Sequence, residues 1–349
     1  MARLLPADAA GIALGIDTLA AGALVAFATE TVYGLGADAT RPEAVRRIFA
    51  AKGRPADHPV IVHVLCADDL DAWAAEVPPL ARALAEAFWP GPLTLVLKRA
   101  AGVCDEVTGG QDTVGLRAPA HADARALIAG LAERADADAE ARAAGATALP
   151  GAQPPARRRS GIAAPSANRF GRISPSLASH VAADFAESDL LVLDSGACAV
   201  GIESTIVDLS RGAPVVLRPG AITPAQIAEV AARIDGRAVS SSAAAPRVSG
   251  SLASHYAPRK PLLLLDAAAI AALDAPADWA VLAFTPAARD WAWHTQAPRD
   301  PAAYAHGLYA WLHAMDGSPA RRLAIEAPPA DPAWTAVADR LGRAAFSQT

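Results

Sequence analysis

Short runs rich in Val, Leu and Ile alternate along most of this chain with segments of helical periodicity. This alternation is the strongest constraint on the fold, because strands and helices that follow each other in turn pack as layers of an α/β domain. The predicted strands of the first two thirds of the chain are residues 24–28, 60–65, 93–98, 114–118, 161–164, 190–193, 205–209 and 215–218. The length of 349 residues is about twice that of a typical domain and predicts two domains.

Two predicted helices carry capping signals at their N-termini. The first covers residues 41–52, with Thr40 as the N-cap and Glu43 in position to complete a capping box. The second begins after Thr223, with Pro224 at the first helical position and Gln226 two residues further on. We therefore expect both helices to start at the residues that these signals mark.

The composition excludes several classes of protein. Hydrophobic residues make up 53% of the chain, which is enough for a core and excludes global disorder. No stretch approaches the ~20 bulky apolar residues of a membrane-spanning helix and no secretory signal is present, so we expect a soluble cytoplasmic protein. The formal net charge of −5 disfavours a surface that binds nucleic acid. Cys66, Cys104 and Cys198 form no C-x-x-C pair, so neither a disulfide framework nor a zinc site is expected.

Two segments interrupt the alternation. Residues 133–159 contain almost no bulky apolar side chain, so we predict a disordered insertion. Residues 237–261 are rich in Ser, Ala and Pro, which is typical of an interdomain linker. The predicted organisation is a first domain of residues 1–236, this linker, and a small α/β domain of residues 262–349, with strands at 262–266, 280–284 and 323–325 and helices at 304–315 and 334–345.

Four polar segments lie at the ends of predicted strands and helices, where loops usually hold function. The first is TETVYGLG at residues 29–36, in which Gly34 and Gly36 formally match a dinucleotide-binding fingerprint. Residues 29–33 separate this match from the preceding strand, and no acidic residue ends a second strand at the expected distance. We therefore disfavour a dinucleotide site.

The second segment places Lys52 and Arg54 on a short loop with Gly and Pro at the end of the first capped helix. At this position, which we expect to be exposed, the two cations either complement the carbonyl end of the helix or clamp a phosphate. His63 lies in the strand that follows and alternates with apolar neighbours. On its own that pattern is typical of a buried core histidine.

The third segment is the strand that ends at Arg117, which could bind a carboxylate or form a structural ion pair. The fourth contains Ser166 and Asn168, whose small polar side chains either surround an oxyanion or a ribose or form an ordinary turn. The sequence contains no hydrolase elbow, no zinc-protease helix and no Walker phosphate loop.

Eight short motifs follow one another over the first 220 residues: TETVYGLG at 29–36, KGRP at 52–55, His63, WPGPLT at 89–94, VGLR at 114–117, PSAN at 165–168, GIESTIVD at 201–208 and LRPG at 217–220. Further along the chain come SGSLASHYAP at 249–258 and ADRLGRAA at 338–345. Together these motifs resemble the YrdC-type threonylcarbamoyl-AMP synthases, in the long form with an extra C-terminal domain. The resemblance implies a YrdC-like twisted mixed sheet flanked by helices and a smaller Rossmann-like α/β domain.

The resemblance also implies a reaction. The amino group of L-threonine captures bicarbonate or CO2, and the resulting carboxylate attacks the α-phosphate of ATP, which releases pyrophosphate and leaves threonylcarbamoyl-AMP. Mg²⁺ is expected with ATP, and no carboxylate cluster in the sequence indicates a metal site built by the protein. A separate transferase complex would then move the threonylcarbamoyl group to the adenosine beside a tRNA anticodon.

Roles for individual residues follow from the same resemblance. The catalytic residues would be Lys52, Arg54, Ser166 and Asn168. L-threonine would be held by Thr31, His63, Arg117, Ala164 and Ser204. ATP would be contacted by Arg54, His58, Thr113, Ser166, Ser174, Arg218 and Tyr256. Tyr256, on the linker, would also fold over the cleft as a lid that excludes water.

Two other functions remain open at this point. A basic cleft formed by Lys52, Arg54, Arg117 and Arg218 could belong to a non-catalytic module that binds RNA, although the acidic net charge counts against it. A related carbamoyl-transfer enzyme with another acceptor is the second alternative. The arginine run at residues 157–159 leaves a weak tRNA contact open, although a solvated charge run is the commoner structure.

Overall fold

The computed structural model describes residues 1–144, 159–234, 236, 239–240, 246–248, 250, 255–287 and 289–346, and strands alternate with helices through them. The strands of the larger sheet are β1 (Arg3–Pro6), β2 (Val25–Ala28), β3 (Tyr33–Asp38), β4 (Ile61–His63), β5 (Leu93–Lys98), β6 (Thr113–Arg117), β7 (Ile162–Ala163), β8 (Leu191–Asp194), β9 (Thr205–Asp208) and β10 (Val215–Arg218). The accompanying helices are α1 (Ala9–Ala20), α2 (Pro42–Lys52), α3 (Leu70–Trp73), α4 (Pro79–Phe88), α5 (Asp105–Thr108), α6 (Ala122–Ala144), α7 (Ala178–Asp184) and α8 (Pro224–Ile234).

The larger sheet has the strand order β1-β8-β2-β3-β7-β4-β6-β5-β9-β10. Its strands pair in both directions: β4 runs parallel to β6, whereas β7 runs antiparallel to both β3 and β4. Strand β2 shows that both faces of the sheet are covered. Ala26 and Ala28 pack in the same core cluster as Ala44 of α2, whereas Val25 and Phe27 pack on the other face with α1 and α6. The predicted mixed sheet flanked by helices is confirmed.

A second, smaller sheet follows in residues 262–346, which we call the C-terminal unit. Its strands are β11 (Leu262–Leu265), β12 (Trp279–Ala283), β13 (Trp293–Gln296) and β14 (Arg322–Glu326), and its helices are α9 (Ala267–Ala271), α10 (Pro301–Gly317) and α11 (Thr335–Ala345). The strands are all parallel, in the order β11-β14-β12-β13. This arrangement agrees with the expected small Rossmann-like layer structure.

Every predicted strand corresponds to an observed one, with ends shifted by two residues at most, but β1, β3 and β13 were not predicted. In β3 the two glycines of the formal dinucleotide match are paired in a buried strand. A Cβ at Gly36 would come within 2.6 Å of Phe27 and 2.8 Å of Ile162, so the neighbouring strands approach too closely for a side chain. The Gly-x-Gly pattern therefore serves strand packing, which agrees with the rejection of a dinucleotide loop.

One of the two predicted caps is wrong. Helix α2 begins at Pro42 after Arg41, and the Thr40 hydroxyl instead donates a 2.6 Å hydrogen bond to Asp38 Oδ1. A turn that follows β3 uses Thr40, so the threonine is not available to the helix. The second cap is confirmed. The Thr223 amide donates to Gln226 Oε1 at 2.9 Å, and the Gln226 amide donates to Thr223 Oγ1 at 3.3 Å.

The predicted disordered insertion is wrong in its first part, because α6 continues through residues 133–144. The beginning of α6 is anchored by buried Leu127 and Leu131, which pack with α1. Ala, Glu and Arg then extend the packed helix at little cost, even without apolar residues of their own. Residues 145–158 lie outside the described part of the chain. Arg159 is ordered, with its guanidinium 5.3 Å from the Trp73 ring and a hydrogen bond to the Ala72 carbonyl.

Much of the predicted linker, residues 237–261, also lies outside the described residues. Its described end, residues 255–257, passes between the larger sheet and the C-terminal unit. The Ala257 amide donates to the Gly171 carbonyl at 2.9 Å, and the His255 amide donates to the Arg343 carbonyl at 3.3 Å. Among the described helices, none has the length and apolar character needed to cross a bilayer.

Candidate active site

A cleft opens where the larger sheet meets the turn at residues 255–257. It is bordered by the loops after β2 and β7, the ends of β4 and β6, and the segment before β9. The predicted site residues that line it are Thr31, Arg54, His63, Arg117, Ala164, Ser166, Ser204, Arg218 and Tyr256. Within the described part of the chain, the predicted residues outside this lining are Lys52, His58, Thr113, Asn168 and Ser174.

Arg117 lies at the end of β6 and forms a buried ion pair with Glu30. Its Nη2 donates to Glu30 Oε1 at 2.6 Å and its Nη1 donates to Thr31 Oγ1 at 2.9 Å. Burial on its own would raise the pKa of Glu30, but the positive charge and hydrogen bond of Arg117 outweigh it and lower that pKa. Arg117 therefore makes a structural ion pair, one of the two expected roles, and still borders the cleft.

His63 ends β4 beside Arg117, and its imidazole is buried. Burial, together with the nearby positive charge of Arg117, lowers the pKa of His63 to about 3, so the ring is neutral at physiological pH. His63 lines the cleft, and its buried Nδ1 has no hydrogen-bond partner among the described residues. A neutral imidazole with an unused nitrogen is more than a satisfied core histidine, because it can bind a ligand.

Lys52, at the end of α2, lies beneath the loop that follows β7. Only 3% of the residue is exposed, which corrects the expectation of an exposed helix end. Its Nζ donates 2.5 Å hydrogen bonds to the carbonyls of Ser166 and Asn168. Burial and the neighbouring charge of Arg54 hold the pKa of Lys52 well below its usual value. The lysine therefore supports the loop from inside rather than complementing the helix end.

Ser166 and Asn168 form a hydrogen-bonded network above Lys52. The Ser166 hydroxyl donates to Asn168 Oδ1 at 2.6 Å, and Asn168 Nδ2 donates to the carbonyls of Arg169 and Arg172 at 2.7 and 2.9 Å. Ser166 borders the cleft, while Asn168 lies behind it and fixes the loop. The loop is thus a built structure with a lysine at its base, not an ordinary surface turn.

Arg54 reaches the cleft from the loop after α2. Its Nη2 donates to the Pro59 carbonyl at 2.9 Å, and its guanidinium carbon lies 5.9 Å from the centre of the Phe170 ring. Burial lowers the pKa of Arg54 to about 10, which leaves it charged. His58 packs edge-on against the same Phe170 at 5.6 Å, so it stands behind Arg54 rather than in the cleft.

Arg218 and Ser204 form the wall contributed by β10 and the segment before β9. Arg218 Nε donates to the Ser204 carbonyl at 3.0 Å and its Nη2 donates to Ser204 Oγ at 3.1 Å. The Ser204 hydroxyl is also 2.7 Å from Thr94 Oγ1. Thr113 lies in a small neighbouring pocket that it shares with Thr94 and Val248, so it is close to the cleft without lining it.

Glu203 also lines the cleft, although it was not among the predicted site residues. Its carboxylate accepts hydrogen bonds from Ser174 Oγ at 2.6 Å, Tyr309 Oη at 2.9 Å and Arg340 Nε at 2.8 Å. Burial on its own would raise the pKa of Glu203, but the charges of Arg340 and Arg218 and these hydrogen bonds lower it to about 2. Glu203 belongs to the GIESTIVD motif, so the sequence did single out this segment. No sequence pattern predicted that Glu203 would contact helices α10 and α11.

Tyr256 closes one side of the cleft, on the turn where the linker enters the C-terminal unit. Its ring is buried, and its backbone has φ +63, a left-handed conformation that is strained for a tyrosine. Arg340 lies 5.5 Å from the ring centre and Tyr309 lies 5.7 Å from it. Burial raises the pKa of Tyr256 to about 12, and its hydroxyl has no partner within the described structure. The residue that we expect to act as a lid therefore lies at the wall of the cleft.

The cleft is electrically positive, because arginines outnumber carboxylates among its described lining residues. In a buried setting of low dielectric such charges act strongly on an anion. No group of three or more His, Cys, Asp or Glu side chains that could hold a metal ion occurs within the described ranges. The arrangement therefore suits an anionic organic ligand.

Comparison with known families gives two matches that together span most of the chain. Residues 17–220 match the Sua5/YciO/YrdC family, described as "Telomere recombination". Residues 222–346 match the family described as "Threonylcarbamoyl-AMP synthase, C-terminal domain". The boundary between the matches falls just before α8.

Individual relatives agree with these matches. The chain is 41% identical over 247 residues to the threonylcarbamoyl-AMP synthase of Pyrococcus abyssi and 38% identical over 247 residues to that of Bacillus subtilis. Each alignment covers 70% of this chain but 65% and 63% of the two relatives, so the chain spans less than two thirds of their length.

Solved structures cover the chain more fully. Sua5 of P. abyssi complexed with L-threonine aligns with a TM-score of 0.80 and 33% identity over 96% of this chain and 94% of that one. A variant of the same protein with a His and a Tyr replaced by Ala aligns with a TM-score of 0.82 and 31% identity over 99% and 96% of the two chains. The relation of the larger sheet to the C-terminal unit is thus shared with a solved protein.

Proposed function

The chain belongs to the Sua5/YciO/YrdC family, and we propose that it joins L-threonine, bicarbonate or CO2, and ATP into threonylcarbamoyl-AMP. The observation that carries this proposal is the convergence of residues from motifs far apart in the sequence on one buried, positive cleft. The likeness to P. abyssi Sua5 in complex with L-threonine supports the choice of amino acid.

The Arg117 end of the cleft suits the amino acid. Three of the five N–H groups of Arg117 donate to Glu30, Thr31 and the Gly91 carbonyl. The other N–H groups can bind the carboxylate of threonine. His63, which pairs with Arg117 across the two strands, also lines the cleft, and the unpartnered Nδ1 of its neutral ring would bind the amino or hydroxyl group. Ala164 and Ser204 would complete this pocket.

The other arginines of the cleft suit the triphosphate of ATP. Arg54 and Arg218 bring two buried positive charges to the cleft, and Lys52 holds the loop whose Ser166 hydroxyl borders it. Charge that develops on phosphate oxygens in the transition state is best stabilised by such preorganised donors. Ser174, His58 and Thr113 would act from behind the lining, since none of them borders the cleft within the described structure.

The proposed reaction has two bond-forming steps. The threonine nitrogen bonds to the carbon of CO2 and gives up a proton, which yields a carbamate. A carbamate oxygen then bonds to the α-phosphorus of ATP while the bond to pyrophosphate breaks. The cleft would contribute by positioning the three reactants and by excluding water behind Tyr256.

Mg²⁺ would enter as part of the ATP complex. The two carboxylates near the cleft, Glu30 and Glu203, are already paired with Arg117 and Arg340, so these residues do not fit a metal site built by the protein. Phosphate oxygens and water are the ligands that Mg²⁺ usually takes beside a nucleotide.

The RNA-binding alternative receives no support from the site. Arg54, Arg117 and Arg218 are buried, so they offer no surface to a nucleic acid backbone. The product of the proposed reaction would instead be passed to a tRNA-modifying transferase, and we place the enzyme in the cytoplasm on that ground. A carbamoyl-transfer enzyme with another acceptor differs only in the amine it takes.

The proposal is tested by incubating the protein with Mg²⁺-ATP, bicarbonate and one amino acid at a time and measuring pyrophosphate release. We expect release with L-threonine and much less with D-threonine, glycine or ammonia. A rate that does not change when threonine is omitted would overturn the proposal. A clear preference for another amine would favour the carbamoyl-transfer alternative.

A further inference from the structure

Two residues of the C-terminal unit reach the wall of the cleft through Glu203. Arg340, on α11, has no exposed side-chain surface, and its Nε donates to Glu203 Oε2 at 2.8 Å. Tyr309, on α10, donates its hydroxyl to the same carboxylate oxygen at 2.9 Å. The positions lie 137 and 106 residues from Glu203 in the sequence, so both contacts depend on how the C-terminal unit docks.

The same two side chains also contact Tyr256. The Arg340 guanidinium lies 5.5 Å from the centre of the Tyr256 ring, a distance suited to a cation–π interaction, and the Tyr309 ring lies 5.7 Å from it. Glu203, Tyr309, Arg340 and Tyr256 therefore form one buried cluster. The cluster joins a residue of the cleft wall to the residue that covers the cleft.

Tyr256 needs such support because its backbone is strained. A bulky residue with φ +63 holds that conformation only when surrounding contacts fix it. The C-terminal unit supplies the ring packing just described and the carbonyl of Arg343, which accepts a hydrogen bond from the neighbouring His255 amide, while the Ala257 amide donates to the Gly171 carbonyl. Without the contacts from the C-terminal unit, we expect the turn to relax and its aromatic ring to leave the cleft.

We infer that Arg340 and Tyr309 are positioning residues that hold Tyr256 closed over the cleft, so that the C-terminal unit protects the reaction product from water. The inference deepens the proposed function and rests on it. Water would bond to the carbonyl carbon of threonylcarbamoyl-AMP and break its bond to the phosphate oxygen. AMP and threonine carbamate would result, and the carbamate would decompose to threonine and CO2.

The quantity that tests the inference is the fraction of consumed ATP recovered as intact threonylcarbamoyl-AMP rather than as AMP, while pyrophosphate release is followed separately. Tyr309→Phe removes one hydroxyl and is the mildest variant. We expect it to lower the intact fraction by roughly fivefold or more, the order expected when a buried hydrogen bond to a charged group is lost. Threonine-dependent pyrophosphate release should persist.

Matched controls exist within the C-terminal unit. Tyr304, on the same helix as Tyr309, is equally buried, and its hydroxyl has no partner among the described residues, so Tyr304→Phe should keep the wild-type fraction. Arg322, an exposed residue at the start of β14, lies 5.5 Å from the Trp279 ring, so Arg322→Met removes a cation–π contact away from the cleft. Arg340→Met should lower the intact fraction further, and Arg340→Lys should restore part of it.

A purely structural role would lower pyrophosphate release and leave the intact fraction of the consumed ATP at its wild-type value, and that result would overturn the inference. An unchanged fraction in Tyr309→Phe would do the same. Hydrogen exchange of the His255 and Ala257 amides supplies a readout that does not depend on activity, and we expect it to be faster in Tyr309→Phe than in Tyr304→Phe. If the wild-type protein releases no threonine-dependent pyrophosphate, the proposed function fails, whereas unchanged exchange in Tyr309→Phe counts against the positioning of the turn.

Discussion

The Glu203 carboxylate accepts a 2.8 Å hydrogen bond from Arg340 Nε, and both side chains are buried where the C-terminal unit meets the cleft. A buried carboxylate persists as an anion only beside a matching charge and enough hydrogen-bond donors. Glu203 has both, and its pKa of about 2 expresses that balance. Because Arg340 belongs to the C-terminal unit and Glu203 lines the cleft, the charge balance of the cleft depends on the docking of that unit.

Removal of the negative charge from this pair should destabilise the protein strongly. Glu203→Gln leaves the buried Arg340 guanidinium with Asp339 as its remaining carboxylate partner, and we expect the free energy of unfolding to fall by about 3 kcal/mol, the lower end of the range for a broken buried pair. Chemical denaturation of the variant and the wild-type protein measures this change in the free energy of unfolding. Glu106→Gln is the control, because its partner Arg46 is well exposed and such surface pairs contribute about 0–1 kcal/mol. Equal effects of the two substitutions would contradict this account of the pair.

Replacement of Lys52 should affect catalysis more than any other lysine substitution. Lys52→Met removes the donor shared by the Ser166 and Asn168 carbonyls, so the loop that carries Ser166 into the cleft loses its support. We expect pyrophosphate release to fall by about a hundredfold or more, as when a preorganised donor is lost, with a lower unfolding midpoint. Lys98→Met is the control, since Lys98 is exposed and pairs with Glu76 at 3.8 Å. Full activity in Lys52→Met would remove the lysine from the proposed site.

Arg117→Lys should weaken threonine binding selectively. A lysine keeps the positive charge but cannot bind Glu30, Thr31 and a substrate carboxylate through one planar fork. We expect KM for threonine to rise by about tenfold or more, corresponding to about 1.4 kcal/mol, while KM for ATP changes little. Arg134→Lys, in an exposed pair with Asp17, is the matched control. A larger rise in KM for ATP than for threonine would place Arg117 at the other end of the cleft.

The docking of the C-terminal unit should also depend on pH, through a pair of stacked histidines. His180 and His313 stack at 3.8 Å, and burial together with neighbouring positive charge lowers their pKa values to about 3 and about 4. An unfolded histidine titrates near pH 6.5, so between about pH 6.5 and pH 4 the unfolded state binds more protons than the folded state. The free energy of unfolding should therefore fall as pH falls through this window.

The check is a comparison of unfolding midpoints at neutral and mildly acidic pH. His313→Gln should reduce the difference between the two midpoints, because one buried imidazole no longer has to take up a proton. His306→Gln alters an exposed histidine of the same helix and should keep the wild-type difference. An identical pH dependence in all three proteins would show that the stacked pair does not contribute.

The larger features of the fold follow from local patterns, and the misses have physical causes. Strands such as β5 are mostly apolar runs and were predicted to the residue. Strand β3 contains two glycines that tertiary packing explains, because a Cβ at Gly36 would meet Phe27 and Ile162 and a Cβ at Gly34 would meet Ala164. The stretch at residues 133–144 has a disordered composition, yet it extends a helix whose anchors lie earlier in the chain. Composition does not report such long-range support.

For the site, the ordered motifs located most of the cleft, because each motif delivers a side chain from the end of a strand or from an adjacent loop. The environment of those side chains could not be predicted. Lys52 looked exposed because it ends a polar helix, and its burial comes from the loop at Ser166, far away in sequence. The Glu203 cluster was missed for the same reason, since Tyr309 and Arg340 reach it only after the C-terminal unit has docked.

The central claim is that this cleft converts threonine, bicarbonate and ATP into a carbamoyl adenylate. The most direct measurement is mass spectrometry of the reaction mixture after incubation with isotopically labelled bicarbonate. The account predicts a threonylcarbamoyl-AMP product that carries the labelled carbon, forms only when threonine and ATP are both present, and is lost in Lys52→Met but not in Lys98→Met. ATP consumption that yields no labelled adenylate, or an adenylate that forms without threonine, would contradict it.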